Sequence, residues 1–140
     1  MTTVYNDDIL FFDGINVLDL ALSKQTPFYL YSEKMITDNF LAYQKSFKDN
    51  PHLVCYSVKA NSNLSILSLL AKLGSGFDIV SGGELSRVIQ AGGDPSKTVF
   101  SGVGKTEEEI KFALSKNIMC FNIESRDELR TINAIALEKK

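Results

Sequence analysis

A strand-then-helix pattern that repeats four times between residues 53 and 137 constrains the fold of this chain more than any other feature. In each repeat, a short apolar run is followed by a segment with apolar residues at helical spacing, such as Leu64, Leu67 and Leu70. The predicted strand and helix ranges are 53–58 and 63–73, 77–80 and 81–91, 98–100 and 105–115, and 119–123 and 125–137. Strands that alternate with helices over short connections indicate βαβ units, and therefore an α/β fold with a parallel sheet.

Residues at the predicted helix ends support these ranges. Three helices begin with a serine or threonine that is followed three positions later by glutamate, which is the pattern of a capping box. These pairs are Ser81 and Glu84, Thr106 and Glu109, and Ser125 and Glu128. The predicted helix stops are Gly74, Gly92, Gly93 and Asn117, residue types that favour left-handed backbone. Ahead of the four repeats, the sequence predicts a strand over 28–31 and a helix over about 32–47 with Ser32 as its N-cap.

Two architectures accommodate this pattern, an open doubly wound sheet and part of a (β/α)8 barrel. The sequence has neither a GxGxxG after its first strand nor a Walker motif, so it lacks the common nucleotide-binding signatures. The glycine-rich stretch 101–105, Ser-Gly-Val-Gly-Lys, lies between a predicted strand and a predicted helix, where a phosphate group binds in many proteins. The stretch is short and generic, and we favour a tight turn between strand and helix.

Composition and charge exclude several classes of function. A formal net charge of −2 provides no electrostatic surface for nucleic acid or an anionic membrane. No apolar run approaches the ~20 residues that a membrane helix needs, and the amino terminus lacks the basic region of a signal peptide. Only two cysteines occur, Cys55 and Cys120, and both fall in predicted strands, so we expect core residues rather than a disulfide or a metal site. These features predict a cytoplasmic protein.

Lys59 is the candidate catalytic residue, because it directly follows the apolar run that ends at Val58. The carboxyl ends of strands are the edge at which parallel sheets carry their chemistry. An amine held there and partly desolvated can lose its proton near neutral pH and attack a carbonyl group. The alternative interpretation is an ordinary surface lysine in a loop between a strand and a helix.

Four ordered motifs in the chain resemble the diaminopimelate decarboxylase family, which belongs to the fold-type III, pyridoxal-phosphate-dependent amino-acid decarboxylases. The motifs are YSVKANSN at 56–63, GFDIVSGGEL at 76–85, FSGVGK at 100–105 and NIES at 122–125. The resemblance implies the amino-terminal half of an alanine-racemase-like (β/α)8 barrel over residues 26–140. It implies that residues 1–25 are a leading segment associated with a carboxy-terminal β-domain. Because a complete barrel needs ~250 residues, we expect this chain to be the amino-terminal portion of a longer enzyme.

The resemblance also assigns roles to individual residues. It implies that Lys59 is the catalytic lysine that binds pyridoxal phosphate covalently, and that Asp78 lies near this lysine and the cofactor. Ser57 stands two residues before the lysine, where the wider group usually has alanine or proline. Glu84 recurs near the cofactor in that group, but its place in a capping box leads us to favour a capping role. His52, the single histidine, precedes its strand and is expected to be a loop residue.

The function implied is the decarboxylation of meso-2,6-diaminopimelate to L-lysine and carbon dioxide, with a small amino-acid substrate and a homodimeric full-length enzyme. The resemblance implies that substrate choice is set largely by residues outside these 140. Ornithine, arginine and carboxynorspermidine decarboxylases are therefore alternatives within the same group. A non-catalytic barrel protein that binds pyridoxal phosphate is an alternative of another class, as is a truncated product without activity of its own. The residues that bind the cofactor phosphate and stack on its ring are expected beyond Lys140.

Overall fold

The computed structural model of the chain describes residues 3–138, in two units that are divided between Tyr43 and Gln44. The first unit contains an antiparallel sheet in the order β1-β2-β3, helix α1 and most of helix α2. These elements are β1 (Thr3–Asn6), β2 (Ile9–Phe12), β3 (Ile15–Asn16), α1 (Val17–Ser23) and α2 (Glu33–Ser46). Each hairpin turn has two residues with positive φ, Asp7-Asp8 and Asp13-Gly14. This conformation matches the twist of the flanking strands, and aspartate and glycine tolerate it best.

The strand predicted over 28–31 is wrong, since these residues form neither helix nor strand. Aromatic residues favour strands only where a neighbouring backbone pairs with them, and no such ladder forms here among the described residues. Tyr29 and Tyr31 are exposed instead, with ring centroids 6.4 Å apart. The predicted N-cap is confirmed, because Ser32 Oγ accepts a hydrogen bond from the backbone N–H of Met35 at 3.0 Å.

The second unit consists of four consecutive strand–helix pairs, as the repeats predict. The elements are β4 (Cys55–Ser57), α3 (Leu64–Lys72), β5 (Gly76–Ile79), α4 (Gly82–Gln90), β6 (Thr98–Phe100), α5 (Glu107–Ser115), β7 (Cys120–Phe121) and α6 (Arg126–Leu137). The four strands are parallel and pair in the order β4-β5-β6-β7. A doubly wound sheet reverses its strand order at a switch point. The unbroken order therefore favours an arc of a barrel.

One face of this sheet is covered by the helices and is buried. Side chains alternate between the two faces of a strand, and five residues of the helix-covered face have no exposed surface: Val58, Phe77, Ile79, Thr98 and Phe100. Phe100 stacks on Phe121 with ring centroids 5.8 Å apart. Phe121 in turn packs against Ile110, Ile132 and Ile135 of helices α5 and α6. Burial of this face fixes the register of the strands.

The opposite face of the sheet carries the side chains at the alternate strand positions, and several of these are polar. By the strand register, Cys55, Ser57, Asp78, Val99 and Cys120 share this face. Cys55 is half-buried, and burial raises the pKa of its thiol. The expectation that Cys120 is a core residue is wrong, because Cys120 is exposed. Strand β7 lies at the edge of the sheet.

The three predicted helix caps are present, but the hydrogen bond of the glutamate differs between helix α5 and the other two helices. Helix α5 has the complete capping box of Thr106 and Glu109. In α4 and α6 the serine caps as predicted, but the glutamate carboxylate accepts from the residue before the cap, Val80 N at 2.8 Å and Glu124 N at 2.6 Å. The three helix stops with positive φ are Gly74 (87°), Gly92 (84°) and Asn117 (53°), as predicted.

Glu109 is expected to make the folding stability of the chain sensitive to acid. Its carboxylate accepts hydrogen bonds from the backbone N–H groups of Thr106 (3.0 Å) and Gly82 (2.8 Å), and these bonds lower the pKa of Glu109 below its ordinary 4.5. A lowered pKa contributes stability that is present above the ordinary value and is lost as pH falls through the folded-state value. We therefore expect the free energy of unfolding to decrease below about pH 4.5, and Glu109→Gln to reduce this dependence in urea titrations at several pH values. Glu107→Gln, an exposed change on the same turn, is the control, and an equal effect of both variants would contradict the prediction.

Candidate active site at the carboxyl ends of the parallel strands

Lys59 lies in a single turn of 3₁₀ helix, Val58–Ala60, directly after strand β4. Val58 is fully buried and anchors this turn on the sheet, whereas Lys59 is exposed. The Lys59 amine makes no hydrogen bond or ion pair with any residue that the structure describes. The structure therefore places the candidate lysine at the predicted edge of the sheet, on a fixed backbone and with an accessible amine.

The backbone around Lys59 is held by a series of hydrogen bonds on its carboxy-terminal side. Tyr56 Oη donates to the carbonyl oxygen of Asn61 at 3.2 Å. Asn61 Oδ1 accepts from the N–H of Asn63 at 3.0 Å, and Asn63 Oδ1 caps helix α3 by accepting from the N–H of Ser65 at 2.9 Å. The lysine therefore stands on a short, rigid connection, as a reacting group requires.

Asp78 lies at the centre of a chain of polar side chains that crosses all four parallel strands. Its Oδ2 accepts from Ser57 Oγ at 3.3 Å, and its Oδ1 accepts from Ser101 Oγ at 2.6 Å. Ser101 Oγ accepts in turn from Asn122 Nδ2 at 2.9 Å. We call these four residues the strand-end relay: Ser57, Asp78, Ser101 and Asn122. Of the four, sequence reasoning assigned only Asp78 a place at the site.

Glu84 and His52 occupy the places that the sequence predicts. Glu84 lies in the first turn of helix α4, and its carboxylate accepts a hydrogen bond from the backbone N–H of Val80, which is a capping role. His52 lies in an exposed loop after helix α2, with Nδ1 at 2.8 Å from the carbonyl oxygen of Asn50 and Nε2 at 2.6 Å from Gln44 Oε1. Both side chains are thus occupied by local contacts.

Lys105 is a buried structural residue that sequence reasoning missed. Its side chain has no exposed surface, and its Nζ donates to the carbonyl oxygens of Gly102 (2.6 Å) and Asn122 (2.9 Å) and to Glu128 Oε1 (2.6 Å). The amine also lies 5.6 Å from the centre of the Phe100 ring. The hydrogen bond from Lys105 lowers the pKa of the Glu128 carboxyl. We call this ion pair the Lys105–Glu128 clasp.

The glycine-rich stretch 101–105 connects strand β6 to helix α5 through a bend at Val103. Gly102 has a φ of +92°, a conformation that glycine adopts without strain. Lys105 binds protein oxygens at the end of this connection. Its amine is consequently occupied by the fold and is not directed towards a phosphate group.

The groups at this edge suit a ligand that carries an aldehyde. An accessible amine forms a covalent bond with a carbonyl carbon, and Lys59 is such an amine. Asp78 presents a fixed carboxylate on the neighbouring strand, at the residue paired with Ser57. Among residues 3–138, no cluster of histidine, cysteine, aspartate or glutamate is arranged to hold a metal ion. No described helix is long and apolar enough to cross a membrane.

The fold is that of the cofactor-binding barrel domain of a family of decarboxylases. Residues 33–140 match the family model described as the pyridoxal-binding domain of pyridoxal-dependent decarboxylases, and the chain belongs to this family. A similar curated relative is the diaminopimelate decarboxylase of Vibrio cholerae, which is 56% identical over 132 residues, 94% of this chain and 32% of that protein.

Solved structures agree with this assignment. The diaminopimelate decarboxylase of Helicobacter pylori, solved in complex with L-lysine, matches with a TM-score of 0.85 and 52% identity over 88% of this chain and 31% of that chain. The lysine decarboxylase of Selenomonas ruminantium matches with a TM-score of 0.78 and 30% identity over 85% of this chain and 32% of that chain. The barrel prediction is confirmed, and the chain spans about a third of the length of these relatives.

Proposed function

We propose that this chain supplies the cofactor lysine of a diaminopimelate decarboxylase. In the proposed reaction, the bond between carbon and one carboxylate of meso-2,6-diaminopimelate breaks, carbon dioxide leaves, and a proton takes its place to give L-lysine. The observation that carries this proposal is the identity of 56% and 52% with two diaminopimelate decarboxylases, against 30% with a lysine decarboxylase over a similar share of the chain. Ornithine, arginine and carboxynorspermidine decarboxylation are the alternatives.

Lys59 is proposed to hold pyridoxal phosphate through its amine. When bound, the cofactor accepts the electrons that remain as the carboxylate departs. Lys59 contributes a nucleophile on a rigid strand end, and its exposed position leaves the amine accessible both to the cofactor aldehyde and to an incoming substrate amine. The accessible amine on a fixed backbone supports this role.

Asp78 is proposed to lie beside Lys59 and the cofactor. It sits on the neighbouring strand in register with Ser57, two residues before the lysine. The two side chains make no hydrogen bond in this structure, and the proposed role of the carboxylate is to orient the amine through its charge or to accept its hydrogen bonds once the amine is released from the cofactor. The two hydroxyl donors that hold Asp78 leave its carboxylate with further lone pairs for this purpose.

We also propose, from the family resemblance, a cytoplasmic homodimer in which this chain is the amino-terminal portion of a longer enzyme. The leading segment, residues 1–25, is then associated with a carboxy-terminal β-domain. Residues 26–140 form the first half of the cofactor-binding barrel. In this proposal, the contacts that select the substrate lie mostly outside this portion.

The proposal is tested by measuring carbon dioxide release from meso-diaminopimelate, L-ornithine and L-arginine with the full-length protein that contains this chain. We expect kcat/KM for meso-diaminopimelate to exceed the others by at least about a hundredfold, since a site that binds a second polar group of its substrate rejects analogues that lack it. A preference for ornithine or arginine would replace the proposed substrate. Cofactor binding without release of carbon dioxide from any substrate would instead favour the non-catalytic alternative.

A further inference from the structure

We propose that Ser57, Ser101 and Asn122 are positioning residues for Asp78, and that they form a directed chain of hydrogen bonds which fixes the carboxylate beside the turn that carries Lys59. This inference rests on the proposed roles of Lys59 and Asp78. It adds three residues, from strand β4 and from the ends of β6 and β7, that act through Asp78.

The chemistry of the four groups sets the direction of the relay. An ionised carboxylate only accepts hydrogen bonds, so both serine hydroxyls donate to Asp78. Ser101 has a single hydroxyl hydrogen, which it gives to Asp78 at 2.6 Å, and it therefore only accepts from a third group. Asn122 Nδ2, at 2.9 Å from Ser101 Oγ, is that donor. If the amide oxygen faced Ser101 instead, two acceptors would meet without a hydrogen between them.

Backbone hydrogen bonds hold the relay in place. The N–H of Ser101 donates to the carbonyl oxygen of Ile79 at 2.8 Å, and the N–H of Asn122 donates to that of Phe100 at 2.9 Å, so both residues extend the parallel ladder. The carbonyl oxygen of Asn122 also accepts from Lys105 Nζ at 2.9 Å. The donors are thus carried by the rigid sheet, with the backbone of Asn122 further fixed by the Lys105–Glu128 clasp.

The two sides of Asp78 are held unequally. Ser101 Oγ is 2.6 Å from Oδ1, which is a short bond between a hydroxyl and a carboxylate, whereas Ser57 Oγ is 3.3 Å from Oδ2. The Ser101 side of the relay should therefore contribute more to the orientation of the carboxylate than the Ser57 side. Removing the Ser101 hydroxyl should therefore have a larger effect on the site than removing the Ser57 hydroxyl. A general loss of stability would not produce this order of effects.

The test measures the rate at which Lys59 attaches pyridoxal phosphate, as a function of pH, in the full-length protein. Attachment is followed by absorbance, then trapped by borohydride reduction and assigned to a lysine by peptide mapping. We expect Ser101→Ala and Asn122→Ala to slow attachment at Lys59, the former about tenfold, which is the scale of one hydrogen bond to a charged group. Ser57→Ala is expected to have a smaller effect, about threefold, and all three variants are expected to change the pH profile.

Two serine variants serve as controls. Ser101→Thr keeps the hydroxyl and is expected to restore the rate of Ser101→Ala towards the original value. Ser115→Ala removes an exposed hydroxyl, which donates to the carbonyl oxygen of Phe112 at the end of helix α5, and is expected to leave rate and pH profile unchanged. Original rates and profiles in Ser101→Ala and Asn122→Ala would overturn the positioning role, even if both variants unfold more easily.

A second measurement does not depend on the cofactor. NMR coupling constants report the χ1 rotamers of Asp78, and we expect one dominant rotamer in the original protein and averaging in Ser101→Ala. A fixed Asp78 in that variant, or an averaged one in the original protein, would overturn the relay. Trapping on a lysine other than Lys59 would instead refute the proposed function, and the NMR result would still decide whether the relay orients Asp78.

Discussion

Replacing Lys59 with arginine is expected to abolish covalent attachment of pyridoxal phosphate and to lower decarboxylase activity of the full-length protein by at least about a thousandfold, the scale for removing a covalent nucleophile. Arginine keeps the positive charge and a similar length, but its guanidinium does not deprotonate in proteins and cannot serve as the nucleophile. The fold should be unaffected, because the Lys59 side chain is exposed and makes no hydrogen bond with the described residues. The visible absorbance band of lysine-bound cofactor and the rate of carbon dioxide release are the measurements.

Lys72→Arg is the matched control for this prediction. Lys72 is an exposed lysine in the last turn of helix α3, in the same unit as Lys59, and it has no part in the proposed site. We expect this variant to keep both the absorbance band and the activity. If the band persisted in Lys59→Arg and also in Lys59→Ala, another lysine would carry the cofactor and the proposed role of Lys59 would be wrong.

The second unit could be predicted in detail because its signals are local. Strand β6 begins and ends where the apolar run predicts, and helix α6 ends at Leu137 as expected. Caps and helix stops depend on residues three or four positions apart, which the sequence displays directly. The segment 28–31 has equally favourable residues for a strand, but a strand also requires a partner that is distant in sequence. Local preference alone gave the wrong prediction there.

The location of the candidate site was predictable, whereas its polar contacts were not. Any residue that follows a parallel strand lies at the same edge of the sheet, so the position of Lys59 follows from the repeats alone. The contact between Ser101 and Asp78 depends on the register of two strands and joins residues 23 positions apart. The spacing between Ser125 and Glu128 predicted a capping role for Glu128. The hydrogen bond that Glu128 Oε1 accepts from Lys105 joins residues 23 positions apart and was not predicted. Such pairings follow from packing rather than from a local pattern.

Loss of the Lys105–Glu128 clasp is expected to have the largest effect on stability among the ion pairs described here. The Lys105 side chain has no exposed surface, and Glu128 retains 12% of its side-chain exposure. Glu128→Gln keeps a side-chain oxygen that can still accept from the N–H of Glu124, but leaves the buried ammonium without its counter-charge. We expect this variant to lose about 3 kcal/mol of unfolding free energy, the lower end for breaking a buried pair. Urea unfolding at neutral pH measures the loss.

A double-mutant cycle separates the ion pair from the other roles of its members. Lys105→Met alone removes three hydrogen bonds and the contact with the Phe100 ring, so it is also expected to be destabilising. In the double variant with Glu128→Gln no charge is left unpaired, and the combined loss of unfolding free energy should fall short of the sum of the single losses by more than about 1 kcal/mol.

Glu107→Gln is the control, because it breaks an exposed ion pair with Lys111 and should cost less than about 0.5 kcal/mol of unfolding free energy. Additive losses across the cycle, or an effect of Glu128→Gln as small as that of Glu107→Gln, would mean that the clasp is not a coupled pair. Lys105 also donates to the carbonyl oxygen of Asn122, which belongs to the strand-end relay. A coupled clasp would therefore help to fix the position of the relay beside Lys59.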